Sequence, residues 1–306
     1  MTKPFEWEAG AALVTGASRG IGAEIARQLA QRGTKTLILV ARSEADLQKL
    51  ASEIRTTYPE TRIEIVPADL AQPDAPRALK AETDRRGLPV HLLVNNAGFG
   101  SHGNFETRDA SGEQDMVAVN VSALVTLTRL YLPEMVARKT GGVLNIGSTA
   151  GFQPVPYMTT YGATKAFVQS FSEALWAEMQ DRATDVRVVC LCPGATATNF
   201  ADKLDRGKFE NSKKDSAEEV ARVGLDALDK TGPFAVVGGA NYVVSLGYRI
   251  MPRAMMARFV AGMFRPTDAD TETSTAGRAG KKAGLVIAAA GATALILAAL
   301  RSKPNR

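Results

Sequence analysis

Ala11-Ala12-Leu13-Val14-Thr15-Gly16-Ala17-Ser18-Arg19-Gly20-Ile21-Gly22 is the stretch whose reading decides the fold. Residues 11–15 form a short apolar run without alternation, which reads as a strand of a parallel sheet buried on both faces. The segment from there to about Arg32 places Ile25, Ala26 and Leu29 on one helical face. Between strand and helix, Gly16, Gly20 and Gly22 let backbone approach a ligand closely and let the helix pack tightly on the strand. The free N–H groups that open such a helix attract a pyrophosphate. A turn serving packing alone would use the same glycines. Its place in the first strand–helix unit favours the ligand.

The pattern repeats downstream. Apolar runs at 36–40, 62–66, 91–95, 142–147, 186–191 and 234–237 alternate with helical stretches at 44–57, from Pro73 onward, and at 109–138, 157–180 and 216–230. Strands alternating with helices predict an α/β chain: a Rossmann-like, doubly wound parallel β-sheet flanked by helices. Ligands of such a sheet gather beyond the C-terminal ends of its strands. Gly16, Arg42, Asp69, Asn96, Ser148 and Gly194 all follow predicted strand ends, so a single site is expected there.

Several of these residues carry chemistry. Where a dinucleotide site preferring NAD places an acid for the ribose 2′-hydroxyl, this chain has Ala41-Arg42-Ser43. An acid would repel a 2′-phosphate; Arg42 would attract it, with Arg19 joining. NADP(H) is therefore expected over NAD(H). Asp69 reads either as an acceptor for an adenine amino group or as a turn cap. Asn96, Ala97 and Gly98 leave room for a flat ring or a ribose, whereas Asn95 is either part of the site or a tie between strands. Asn120 lies inside a predicted helix, where Asn is a poor helix former; it faces either solvent or a polar site. Tyr161 and Lys165 lie one helical turn apart on one face. The ammonium is expected to lower the phenol pKa from about 10 and fit it to exchange a proton with an alcohol or carbonyl oxygen. Alone, that spacing also arises in helices with no such role.

Taken together, Thr15-Gly16-x-x-x-Gly20-x-Gly22, Asn95-Asn96-Ala97-Gly98, Asn120, Ser148, Tyr161-x-x-x-Lys165 and Pro193-Gly194 make the chain resemble the short-chain dehydrogenase/reductase family over about residues 8–240. The resemblance implies an NADP(H)-dependent oxidoreductase interconverting a carbonyl and a secondary alcohol. It implies catalytic roles for Asn120, Ser148, Tyr161 and Lys165. Tyr161 would be the acid in reduction and the base in oxidation. Lys165 would lower its pKa and hold the nicotinamide ribose, Ser148 would hydrogen-bond the substrate oxygen, and Asn120 would support a water relaying protons to Lys165. Cofactor contacts are implied at Gly16, Ser18, Arg19, Gly20, Ile21, Gly22, Arg42, Asp69, Asn96, Ala97, Gly98, Tyr161, Lys165, Pro193 and Gly194. A homodimer or homotetramer through the helices around 120 and 165 is also implied. The competing reading is a non-catalytic nucleotide-binding or membrane-attached scaffold on the same fold; intact Ser148, Tyr161 and Lys165 speak against it.

Phe152, Pro154, Val155, Pro156, Tyr157 and Met158 separate Ser148 from Tyr161 and are expected to wall a substrate pocket, with Phe99, Phe105, Phe200 and Leu204. An apolar wall suits a hydrophobic acyl, steroid-like, aldehyde or ketone substrate; ordinary loop packing would use the same residues. Residues 195–215 are expected to form a flap over it.

With 306 residues, 45% of them hydrophobic, the chain can build one large α/β domain plus an appendage. The net charge of +5 comes from 37 Lys/Arg scattered among 32 acids, without a basic tract interleaved with aromatics, so nucleic acid is not expected as a partner. His91 and His102 offer no metal-ligand spacing, and no metal is expected. Cys190 and Cys192 are expected to point to opposite faces of a strand, unable to pair or chelate, as small core residues of a protein in a reducing compartment. Met1-Thr2-Lys3-Pro4-Phe5-Glu6-Trp7-Glu8 holds no signal-peptide-like apolar run.

Beyond a catalytic domain at 1–239, residues 240–265 carry Arg249, Arg253, Arg258 and Arg265 without any Asp or Glu, and are rich in Met, Val, Leu and Phe. They read as a C-terminal helical appendage: a membrane-surface helix pair, a lid or an oligomer interface. Residues 266–282 read as a polar linker. Residues 283–300 are uncharged and apolar, between Lys281-Lys282 and Arg301. As a helix they would be about 27 Å long, within bilayer-spanning range. They are expected to anchor a cytoplasmic enzyme domain to a membrane, against the alternatives of a packing helix or a disordered tail.

Overall fold

The computed structural model describes residues 3–182, 184–197, 215–230, 232–239, 241–242, 245 and 251–266. β1 (Ala11–Thr15) is buried along its whole length, as a strand is only in mid-sheet with helices on both faces. Around it lie β2 (Thr36–Ala41), β3 (Arg62–Pro67), β4 (Val90–Asn95), β5 (Thr140–Ile146), β6 (Asp185–Cys192) and β7 (Phe234–Val236). All neighbours pair in parallel, in the order β3-β2-β1-β4-β5-β6-β7. The chain winds outward from β1 to β3, then crosses back to β4 on β1's other side. That reversal opens a crevice at the strand ends.

The side-chain period of a strand sorts the core into two layers. Val14, Leu37 and Leu39 face α1 (Gly20–Gln31) and α2 (Glu44–Thr57) in one buried cluster, which also holds Leu29, Leu47 and Leu50. Leu13, Ile38 and Val40 face the opposite cluster, with Leu79 of α3 (Ala75–Arg85). α4 (Ala110–Val117) runs through a π-helical turn, Ala118–Ala123, into α5 (Leu124–Arg138), which adds Leu127 and Tyr131 to that second layer. α6 (Thr159–Asp181) lies on the same side, and α7 (Ala217–Ala227) beside α1. Ala110–Arg138 is the one described helix long and apolar enough to cross a bilayer. Its Leu124, Leu127, Tyr131 and Met135 are buried in the fold, so its hydrophobicity belongs to the core.

The expectation for the cysteines is corrected. Residues two apart on a strand share a face, and the Cys190 and Cys192 sulfurs lie 3.7 Å apart, both buried and both free. They pack with Leu124 and Val168 beneath Phe152 and Phe234. Residues 267–282 and 283–300 lie outside the described residues. α8 (Arg253–Phe264) folds back onto the main body, with Met256 and Val260 buried against Met116, Val155, Met158 and Tyr161.

Candidate active site

Gly16 takes φ +64° and Gly20 φ +58°, left-handed conformations that a side chain would strain. Gly22 is needed for another reason: a Cβ there would meet the Gly16 carbonyl oxygen at 2.4 Å. The glycine turn is braced from β4. Asn96 Nδ2 donates to the carbonyls of Thr15 (2.8 Å) and Gly16 (3.1 Å). Thr15 Oγ1 accepts the N–H groups of Asn96 and Ala97 at 3.0 Å each. α1 opens without a side-chain cap and without an acid in its first turn, which leaves its N-terminus suited to an anion.

A cavity of about 720 Å³ runs along the strand ends, within the size range of ligand clefts. Gly16, Ser18, Arg19, Gly20, Ile21, Arg42, Asp69, Asn96, Ala97, Gly98, Ser148, Tyr161, Lys165, Pro193 and Gly194 all border it. Gly22 and Asn120 stand behind the lining. Arg42, after β2, and Ser148, after β5, are three strand spacings apart, or about 14 Å, the span of an extended dinucleotide rather than of a small metabolite. These residues fit such a cofactor. Arg42 makes no ion pair among the described residues, whereas Arg19 is engaged with Asp46 at 3.1 Å on the surface. Asp69 Oδ1 accepts from Ala71 N at 3.2 Å, so it caps a turn as well as bordering the cleft. Asn95 ties strands together: its Nδ2 donates to Asn145 Oδ1 (2.9 Å) and Thr128 Oγ1 (3.0 Å), and it does not reach the cleft.

At the far end, the hydroxyl of Ser148 accepts from Ala150 N at 3.1 Å, capping a short turn, and hydrogen-bonds with Tyr161. Lys165 Nζ donates to the Ile146 carbonyl at 2.7 Å and lies 5.8 Å from the Tyr161 ring centroid. The expected lowering of the tyrosine pKa is not what this geometry yields. Burial pushes Tyr161 up to about 12, with the Ser148 hydrogen bond opposing, because a phenolate loses more hydration than a phenol. The same burial pushes Lys165 down to about 8. At neutral pH the pair is thus a phenol carrying its proton beside an ammonium.

Asn120 sits in the π-helical turn, a local widening that recurs at functional sites. Its amide is pinned by Phe99 O (2.9 Å), Thr164 Oγ1 (3.0 Å) and Phe99 N (3.1 Å). A Cβ on Gly98 would come within 3.0 Å of Asn120 Oδ1 and 3.6 Å of Lys165 Nζ. That glycine is what lets the amide and the ammonium approach from two sides.

On the substrate side the cleft is walled by Phe99, Val155 and Met158, as expected, and by Val119, Gln153 and Phe264, which sequence reading missed. Phe152 does not line it; its ring packs 6.2 Å from that of Phe234. Pro154, Pro156, Tyr157 and Phe105 are also absent from the lining, while Phe200 and Leu204 lie outside the described residues. Tyr157 turns the loop at φ +66°, a costly conformation for a side-chain-bearing residue. Its carbonyl accepts from Gly103 N at 2.9 Å, joining the two loops that flank the cleft. Gln153 had a signal in sequence, as a polar residue within an apolar stretch; its Oε1 is buried without a hydrogen-bond partner among the described residues. Phe264 had none, since more than a hundred residues separate it from Tyr161.

The family model for short chain dehydrogenases matches residues 10–208. The chain belongs to this family. Among curated relatives of this short-chain dehydrogenase is the very-long-chain 3-oxoacyl-CoA reductase-A of Danio rerio, 34% identical over 241 residues, covering 76% of this chain and 73% of the relative. The very-long-chain 3-oxoacyl-CoA reductase of Lodderomyces elongisporus is 34% identical over 225 residues, but the match spans only 63% of that protein's length and 70% of this chain. Among solved structures, a short-chain dehydrogenase from Sphingobium yanoikuyae in complex with NADPH superposes with a TM-score of 0.69 at 31% identity, covering 79% of this chain and 94% of that one. A 7beta-hydroxysteroid dehydrogenase superposes with a TM-score of 0.76 at 25% identity, covering 85% of this chain and all of the other.

Proposed function

We propose that this short-chain dehydrogenase reduces the carbonyl of a hydrophobic acyl substrate, a 3-oxoacyl thioester above all, at the expense of NADPH. The observation that carries the reading is Tyr161, hydrogen-bonded to Ser148 and with Lys165 beside its ring, at one end of a dinucleotide-sized cleft whose other end is bordered by Arg42. When bound, NADPH would supply a hydride, the hydrogen and electron pair that the carbonyl carbon gains on becoming a carbinol. The chain's own residues do the rest. The helix α1 N-terminus and the glycine turn take the pyrophosphate, and Arg42 with Arg19 takes the 2′-phosphate. Ser148 donates to the substrate oxygen as negative charge grows on it. Tyr161 gives that oxygen its proton, and Lys165 steadies the tyrosine as it becomes anionic. Val155, Met158, Phe99 and Phe264 exclude water and favour an acyl chain. The names of the relatives support the acyl substrate; the apolar wall supports a hydrophobic one, and the arginines support the cofactor. On this reading a homodimer or homotetramer, with the enzyme domain in the cytoplasm and 283–300 in a membrane, completes the picture.

NADPH oxidation followed at 340 nm with a panel of 3-oxoacyl thioesters, ketosteroids and simple ketones tests the reading. Tyr161→Phe is expected to abolish turnover while NADPH still binds. Wild-type protein that oxidises NADPH with none of the panel, or an equally active Tyr161→Phe, overturns it.

A further inference from the structure

α8 is apolar on two adjoining faces, one residue and so about 100° apart. Its inner face seats Met256 and Val260 on the cluster that holds Tyr161, and its last residue, Phe264, borders the cleft. Its outer face carries Met255, Phe259 and Met263, four residues apart and hence in one row along the helix. These are 54%, 50% and 43% exposed. A helix with one buried face ordinarily turns polar side chains outward. On α8 itself the charges are cationic only: Arg253 and Arg258 are exposed, and residues 240–265 contain no Asp or Glu, whereas the neighbouring loop carries exposed Glu106 and Asp109. The loop on the cleft's other rim is held to the same helix, His102 Nε2 lying 2.7 Å from the Phe264 carbonyl oxygen, and it exposes Phe105.

An apolar row edged by arginines matches an anionic surface with an apolar interior. A second copy of the chain fits poorly, because a two-fold contact through this face would set arginines against arginines. The sequence past Pro266 agrees with a bilayer: 283–300 is a long uncharged apolar segment that follows α8 by fewer than twenty residues. We propose that α8 rests Met255, Phe259 and Met263 on the surface of an acidic-lipid bilayer, between the lipid and the substrate end of the cleft. An apolar substrate dissolved in the lipid would then reach Tyr161 past the loop at 99–105. The docking itself does not depend on the proposed reaction, and the quenching measurement tests it without turnover.

The test uses the full chain carrying Phe259→Trp, mixed with vesicles of phosphatidylglycerol and phosphatidylcholine whose acyl chains are brominated. Emission beyond that of the parent protein, which already has Trp7 and Trp176, is expected to be quenched, and less so when phosphatidylglycerol is omitted. A second full-chain variant, Met255→Gln/Phe259→Gln/Met263→Gln, alters exposed positions only. It is expected to keep NADPH binding and to lose activity toward substrate presented in vesicles while keeping it toward a short soluble carbonyl. Protein that binds vesicles with the introduced indole unquenched, for instance through 283–300 alone, overturns the proposal. So does protein that does not bind vesicles, or a lipid-free dimer that the triple variant makes monomeric, which would identify a second copy as the occupant.

Discussion

Arg42→Ala tests the proposed preference for NADPH. Arg42 stands at the cleft edge directly after β2 and has no ion pair among the described residues, so its guanidinium gives up no protein contact in meeting a phosphate. A hydrogen bond to a charged group contributes about 1.5–3 kcal/mol. At about 1.4 kcal/mol per tenfold, the variant should lose roughly 10- to 150-fold in affinity and in kcat/KM for NADPH. NADH, with no 2′-phosphate, should be nearly unaffected. Arg19→Ala should cost less, because Arg19 is shared with Asp46 at 3.1 Å, an exposed pair that itself contributes only about 0–1 kcal/mol. Asp46→Asn should release Arg19 and tighten NADPH a few-fold by the same reasoning. Initial rates with both cofactors, with dissociation constants from nicotinamide fluorescence, measure this at two ionic strengths; the NADPH advantage should shrink in high salt. A wild-type enzyme as efficient with NADH as with NADPH, or an Arg42→Ala variant that loses both equally, would refute the argument.

Three further outcomes are expected. Gly22→Ala pushes a Cβ to 2.4 Å from the Gly16 carbonyl oxygen; it should lower stability by about 1–3 kcal/mol and abolish cofactor binding, read by thermal unfolding and titration with NADPH. Asn145→Leu breaks a buried chain in which Asn95 donates to Asn145 (2.9 Å) and Asn145 to Ser172 on α6 (2.9 Å). Asn95 keeps Thr128 and Ser172 keeps the Val168 carbonyl, so each lost hydrogen bond should cost about 0.5–1.5 kcal/mol, and unchanged urea unfolding would count against it. Lys165 is pushed down to about 8 from 10.5, so between these pH values the unfolded chain holds more protons than the folded one. Stability from this group therefore rises with pH across that window and is flat below it. Subtracting the urea-unfolding profile of Lys165→Met from that of the wild type should reveal the rise, and a difference that is flat or falling there would contradict the assigned burial.

Much of this protein is legible in local sequence. Each strand is a short apolar run, and the period-2 geometry of β1 and β2 sends neighbouring residues to opposite core layers without reference to anything distant. The cleft follows for the same reason. In a parallel sheet every strand end lies on one edge, so Gly16, Arg42, Asp69, Asn96, Ser148 and Gly194 had to converge. Side-chain identity sufficed to suggest what Arg42 and Tyr161 do. It did not reveal which Asn reaches the site: Asn95 and Asn96 are adjacent, yet strand alternation turns one into the core and the other onto the glycine turn.

What the tertiary structure alone decided concerns environment and distant neighbours. The spacing of Tyr161 and Lys165 is a sequence fact, but their proton affinities depend on how much water surrounds them. Burial raised the phenol and lowered the ammonium, opposite to the tyrosine shift that proximity of charge suggests. The roof of the site, Phe264 on α8, comes from a helix outside the alternating pattern, placed by burial of Met256 and Val260 against residues far away in the chain. Local periodicity encodes which face of an element is apolar. Which partner covers that face is settled only when all the elements compete for the same core.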